Sequence, residues 1–250
     1  MYKLVVTSLL SVTLSVGSAL AADLGPPPLM PIKAPLPAAP TWTGCYVGGG
    51  GGAGLLTSNQ SLTGVGATPT IDVGGQGWMG IGGGGCDYQF QLINWNVVVG
   101  AFGDYAFMNF RGTASPGGFT GDMKETGAWA GGLRAGILAA PSVLIYTNGG
   151  YTGARLNSVS FPTFAPPITV PSQNYSGWFL GGGTETSLSW VMSGLFLRTE
   201  YRYSSFGTNN TAAAVTATGL PSGTGLRSNL ATQTVFTELV WRFNWAGGWH

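Results

Sequence analysis

The 250-residue chain carries 8 % charged residues, 12 % aromatics, 43 glycines and a net charge of +1, with a mean hydropathy of +0.22. Globular domains typically carry about 25 % charged residues, so this chain is poorly equipped to cover a water-facing surface. The near-neutral balance argues against a nucleic-acid partner, which needs a basic stripe.

In chain order, Met1-Tyr2-Lys3 is a short positive start, Leu4 to Leu20 is uncharged and mostly apolar, and Ala19-Leu20-Ala21 supplies small residues for cleavage. This is the layout of a secretory signal peptide over 1–21. A membrane-anchoring helix is the alternative, but the run is short for a span and ends in Ala-x-Ala rather than in a basic stop. Beyond it, no stretch is long and apolar enough for a membrane helix. Residues 22–40 are rich in Pro and read as an extended periplasmic leader without a core of its own. Residues 41–244 are the body of the chain, and 245–250 form a short C-terminal tail.

From Trp42 onward a pattern of strand, turn, strand and loop repeats four times. It predicts strands over 42–55, 77–91, 95–109, 127–140, 142–154, 176–189, 194–206 and 231–244. Tight turns at Leu92-Ile93-Asn94, Ala140-Pro141 and Trp190 to Ser193 join three pairs. The other connections, 56–76, 110–126, 155–175 and 207–230, are long and built from Gly, Thr, Ser, Asn and Pro. Short turns at one end and long loops at the other predict an all-β, eight-stranded antiparallel up-and-down transmembrane β-barrel in a bacterial outer membrane.

Period two tests this, because a half-buried strand must alternate. Arg198, Glu200 and Arg202 share one face, with Leu197, Thr199, Tyr201 and Tyr203 on the other. Glu238 and Arg242 likewise oppose Leu239, Trp241 and Phe243. Glu185 opposes Trp178, Leu180 and Leu188, and Arg134 opposes Trp129, Leu133 and Ile137. With Asp87 and Asp104 these make nine charged positions within strands. Lipid would penalise an Arg by about 2–4 kcal/mol near the midplane, so all nine are expected inside, paired through the lumen. A soluble sandwich or lipocalin-like barrel would alternate in the same way. The aromatics near strand ends (Trp42, Trp78, Trp95, Tyr105, Trp129, Trp178, Tyr203 and Trp241) favour membrane girdles instead.

The runs Gly48 to Gly52 and Gly82 to Gly85 open no helix and lack the following Lys-Ser/Thr of a phosphate loop. They are expected to keep one wall of a narrow barrel thin, leaving room for side chains from the opposite wall. Trp42-Thr43-Gly44-Cys45-Tyr46-Val47-Gly48 resembles the Trp-Thr-Gly-Phe-Tyr-Val-Gly opening of the alphaproteobacterial 25/31-kDa outer-membrane surface antigens, a porin-like, opacity-type family. Phe102-Gly103-Asp104-Tyr105, Leu133-Arg134, Glu185, Glu200-Tyr201 with Tyr203, and the closing Trp241-Arg242-Phe243 match in the same order. The resemblance implies an eight-stranded outer-membrane barrel with surface loops in structural or host-facing roles. The family usually has Glu at Phe102 and Arg at Phe236 and Gly136, so this lumen is less charged. The chain also runs past Phe243, where assembly machinery usually reads a terminal aromatic strand.

No catalytic constellation is legible. The sole histidine is His250, at the last position and on the periplasmic side, far from where a nucleophile would need its base. Glu185, Glu200 and Glu238 are more simply partners of Arg134, Arg198 and Arg202 than acid/base groups. No His cluster supports a metal site, and no cofactor is implied. Cys45 and Cys86 fall on the outward parity of neighbouring strands; a cross-strand disulfide and two small apolar wall residues both fit. The reading is a structural surface protein with a side-chain-filled lumen, and the alternative is a narrow passive channel for small solutes. The expected partners are outer-membrane lipid and lipopolysaccharide, and the barrel assembly machinery, while the loop ligand is not specified.

Overall fold

The computed structural model describes residues 41–64 and 69–243; the expected signal peptide, leader and tail lie outside them. Ten strands follow in order: β1 (Gly44–Thr63), β2 (Ile71–Leu92), β3 (Trp95–Ala114), β4 (Gly121–Ala140), β5 (Val143–Leu156), β6 (Val159–Phe161), β7 (Ile168–Val170), β8 (Gln173–Ser187), β9 (Leu195–Val215) and β10 (Pro221–Phe243). The eight long strands pair antiparallel with their neighbours in sequence. β10 returns to β1 over a register running from Cys45↔Phe243 to Thr63↔Gly225. The ring is therefore closed and leaves no free edge: an eight-stranded up-and-down barrel, as the alternation predicts.

The three tight turns lie at one end, the turn end. Leu92 pairs Trp95 across Ile93-Asn94, Ala140 pairs Val143, and the connection from β8 to β9 bends where Val191 N–H donates to Leu188 O at 2.8 Å. At the opposite, loop end, the strands run well beyond their expected limits. The segments 56–76, 110–126, 155–175 and 207–230 are largely paired strand rather than loop. Their physical reason is alternation continued beyond the apolar wall. Leu56, Leu62, Phe110, Met123, Leu226 and Leu230 turn inward and are buried, while Thr57, Asn59, Arg111 and Asn229 face outward. A Thr- and Asn-rich outer face reads as loop by composition but is equally that of a strand standing in water. Within 155–175, β6 and β7 form a small hairpin that pairs with β9 at Ile168↔Val215.

The outer wall between the ends is an apolar band. Trp78, Tyr105, Phe107, Trp129, Tyr151 and Trp178 ring it toward the loop end, and Tyr88, Trp95, Trp241 and Phe243 ring it toward the turn end. Among the described residues, every charged side chain is either lumenal or beyond this band on the loop-end extension. That is the surface of a barrel solvated by lipid. Trp42 departs from the expected girdle: it is fully buried inside the turn end.

Opposite the charged strands, β1 points Gly48, Gly50, Gly52 and Gly54 into the lumen, on the parity of buried Tyr46. Close approach demands glycine here. A Cβ on Gly50 would fall well inside van der Waals contact of the Thr237 carbonyl oxygen on β10, whereas one on outward Gly49 would sit 3.5 Å from Ile81 O. Gly50→Ala is expected to destabilise the barrel by about 1–3 kcal/mol, and Gly49→Ala to stay within about 0.5 kcal/mol of the parent. Urea midpoints of the two refolded variants in detergent check this; equal midpoints would remove the close-approach argument.

Candidate functional site

The lumen is built in layers. At the turn end, Trp42, Val98, Leu144, Phe196 and Val240 form an apolar floor. Trp42 Nε1–H donates to Pro141 O at 3.3 Å, and its ring lies 4.9 Å from that of Phe196. Alternation on β2, β4, β8, β9 and β10 then delivers charges to the next layer. Glu185 accepts from Arg134 Nη1 at 2.9 Å, Arg198 Nε at 3.0 Å and Arg242 Nε at 2.9 Å. Asp87 accepts from Arg134 Nε at 2.8 Å and from Arg242 Nη1 at 2.7 Å. Arg198 also reaches Glu238 at 3.5 Å. The Tyr46 ring lies among three of these guanidinium groups, 4.8 Å from Arg134, 4.5 Å from Arg198 and 5.0 Å from Arg242.

A second knot sits nearer the loop end. Arg202 donates to Asp104 at 2.9 and 2.8 Å and to Glu200 at 2.9 Å. Glu200 also accepts from Tyr146 OH at 2.8 Å. Phe102, Phe179 and Phe236 surround Arg202 at 5.7, 4.8 and 5.2 Å. Phe102 stands where the resembled family carries Glu, so there an aromatic face takes the place of a carboxylate beside Arg202. The third departure, Gly136, has no space for a side chain, since a Cβ would meet Tyr146 Cβ at 2.7 Å.

All nine charged residues expected inside thus lie in the lumen, and each touches an opposite charge. The aromatic members Tyr46 and Tyr146 carry no distinguishing sequence signal beyond inward parity. Cys45 and Cys86 are directly opposed on β1 and β2 and are joined by a disulfide on the outer wall. No cluster of His, Cys, Asp or Glu able to hold a metal occurs among the described residues.

Above the charges, the lumen becomes apolar. Leu56, Ile81, Phe110, Met123, Leu230 and Phe236 pack with Phe161 and Ile168 of the hairpin into one core at the loop end. Two small voids lie along the lumen. One, beside Gly48, Gly83, Phe102 and Arg202, measures about 10 Å³, and another, beside Met79, Ala130 and Phe236, about 20 Å³. Each has room for roughly one water.

Glu125 lies within this apolar core, fully buried, and neither carboxylate oxygen has a partner among the described residues. Alternation from outward Trp129 would place it outside. A bulge at Thr126 shifts the register, so that Phe110 and Leu156 oppose Glu125 while Phe107 and Arg155 oppose Gly127. Inward and outward positions exchange beyond the bulge. Glu125 stands on the water-side extension, four residues past the girdle residue Trp129, and burial pushes its carboxyl up to about 8.

Two outcomes follow from these two clusters. Glu185→Gln strips charge from three arginines and is expected to cost about 3–5 kcal/mol, well above Glu238→Gln, whose one contact is long; chemical unfolding in detergent ranks the two. For Glu125, the folded carboxyl holds a proton that the unfolded chain releases above its ordinary value near 4.5. Stability should therefore fall as pH rises from about 4.5 through about 8 and level off above. Glu125→Gln should abolish that slope, matching the parent near pH 4 and exceeding it near pH 9. Parallel pH profiles of the two proteins would contradict a buried neutral carboxyl.

No protein-family model matches the sequence, and no curated protein matches it. Among solved structures, the outer membrane protein OprG from Pseudomonas aeruginosa aligns with a TM-score of 0.50 at 12 % identity, over 82 % of this chain and 99 % of that one. The outer membrane protein AlkL, solved in DMPC bilayers, gives 0.42 at 15 % identity over 88 % and 100 %. Ail, the attachment invasion locus protein of Yersinia pestis, gives 0.36 at 13 % identity over 80 % and 99 %. The OprG alignment shows that this chain shares the fold of an outer-membrane β-barrel.

Proposed function

We propose that this chain is a bacterial outer-membrane barrel of the opacity-type surface antigen kind, with a structural role and no catalytic one. Four things support the placement: the signal-peptide pattern of residues 1–21, the ordered matches from Trp42 to Phe243, the apolar belt with its two aromatic rings, and the fold shared with OprG. In this reading the turn end faces the periplasm, the barrel assembly machinery inserts the chain, and outer-membrane lipid covers the belt.

The observation that carries the structural role is the filling of the lumen. The apolar floor, the ionic layer, the apolar upper core and the β6–β7 hairpin follow one another along the lumen, and two voids beside them, of about 10 and 20 Å³, each have room for roughly one water. Solute flow would require arginine–carboxylate pairs to part, and their loss has no compensation in a lumen this narrow. What remains available for work is the water-side extension and its connecting tips, including Ser115 to Thr120 and Thr216 to Leu220. Loops held on a rigid wall are the usual carriers of recognition.

The test has two steps. Detergent-extracted outer membrane is run unboiled and boiled on one gel, and a faster unboiled band is expected from a closed, detergent-resistant barrel. The purified barrel is then added to a planar bilayer, where no steady conductance is expected at low voltage. A band only in the soluble periplasmic fraction would overturn the membrane placement. Steady conductance would overturn the structural role in favour of a narrow channel.

A further inference from the structure

Outside the lumen, the described residues carry six charges, all on the loop-end extension: Arg111, Lys124, Arg155, Arg227, Asp72 and Asp122. Their distribution around the ring is uneven. Arg227 stands alone on β10, and Asp72 on β2 accepts from Asn59 Nδ2. Arg111, Lys124 and Arg155 instead occupy three adjacent strands, β3, β4 and β5. Arg111 and Lys124 are directly opposed cross-strand partners. Asn157 N–H donates to Lys124 O at 2.9 Å, which sets Arg155 on the diagonal to Lys124, two residues nearer the belt.

Like charges directly opposed on a sheet repel, and the ordinary remedy is a carboxylate between them. None serves here. Asp122, two pairs further out opposite Thr113, makes no ion pair with any of the three; every ion pair among the described residues lies in the lumen. Arg111 Nε–H donates only to Asn109 Oδ1 at 3.3 Å. The same bulge at Thr126 that turns Glu125 inward turns Lys124 outward, so the carboxylate next to Lys124 in sequence lies inside the barrel.

Directly below, the same three strands present an aromatic shelf. Tyr105 and Phe107 stack edge to face at 4.9 Å, and Trp129 and Tyr151 meet at 5.7 Å, all exposed on the outer wall. A cationic cluster one step beyond an aromatic girdle is matched to an amphiphile whose anionic head sits at the interface and whose chains lie along the wall.

We propose that Arg111, Lys124 and Arg155 form a binding site for the phosphate-bearing head of an outer-leaflet glycolipid, with its acyl chains on the Tyr105–Phe107–Trp129–Tyr151 shelf. This rests on the membrane placement above. It commits to the lipid rather than free phosphate because the shelf has no role for a free anion. The glycolipid phosphate supplies the negative charge that the Arg111–Lys124 pair lacks.

The test uses the full mature chain refolded in detergent, with bis-phosphorylated lipid A as probe and native mass spectrometry as readout. A heat-shifted band is required first; its absence in the parent protein would defeat the membrane placement itself, not the site. Given a folded barrel, the parent should retain lipid A at least about tenfold better than the same lipid stripped of its phosphates. The triple variant Arg111→Gln, Lys124→Gln, Arg155→Gln should lose that preference, and Arg227→Gln should keep it. If the triple variant does not give the heat shift, the single variant Lys124→Glu decides by the same preference. Equal retention of phosphorylated and stripped lipid A, or an unchanged preference in the variants, would overturn the site. Displacement by millimolar inorganic phosphate alone would overturn the lipid as its occupant.

Discussion

Glu185 accepts hydrogen bonds from Arg134, Arg198 and Arg242, side chains that arise from β4, β9 and β10, and Asp87 on β2 accepts from two of the same three. The constraint behind this knot is that a barrel in lipid has its apolar solvent on the outside. Charged residues have only the lumen to enter, and in a ring of eight strands the lumen is no wider than the side chains themselves. Burial without pairing would cost several kcal/mol per ion, so four arginines and five carboxylates are arranged until each touches an opposite charge. Cross-lumen ties of this kind hold walls together where the hydrophobic effect, which drives a soluble core, acts weakly.

The opposite wall answers the same constraint by subtraction. Inward Gly48, Gly50 and Gly52 of β1 keep that wall thin beside the guanidinium layer, and at Gly50 and Gly52 β1 and β10 approach more closely than any side chain allows. Glycine-rich strands specify their register poorly. In β1 and β2 the partners from Gly48↔Gly83 to Gly51↔Gly80 are mostly glycine on both sides, so side-chain packing there cannot choose between neighbouring registers. The disulfide between Cys45 and Cys86 pins the seam at its turn end, and the return of β10 onto β1 pins it from the other flank.

Much of this was legible because period two is a strong signal where the wall is apolar on one face and charged on the other. The strand pairs around the tight turns and the nine lumen charges follow from it. The signal weakens beyond the girdle. Segments such as 56–63 and 221–230 alternate Leu with Ser, Thr and Asn, and this pattern has the composition of a loop although it folds as strand. Their inward apolar residues close the upper lumen, so the filling of the barrel was legible only for its ionic half. Trp42 departs from its pattern for a related reason: its position at a strand end reads as a girdle residue, but it lies before the first paired residue and turns inward on Phe196.

The bulge at Thr126 shows the limit of pattern reading most clearly. A single unpaired residue reverses which parity faces the core, and nothing in Lys124-Glu125-Thr126-Gly127 announces it. Its consequences are opposite on the two faces. Inside, a carboxyl is held without a partner in an apolar core and must stay neutral to remain there. Outside, Lys124 joins Arg111 and Arg155 with no acid among them. Both positions are locally unfavourable, and both arise from one backbone feature. A register in which Glu125 faced outward beside these cations would relieve both at once, but it would turn Met123 out of the upper core and Lys124 into it. An uncompensated lysine in that core costs more than a neutral carboxyl, because a glutamate sheds its charge at a pH near its buried value whereas an ammonium must give up its proton far below its own. The bulge is thus retained by the apolar core it completes, and the positive patch on the outer wall is its by-product, available to whatever anion the adjoining lipid presents.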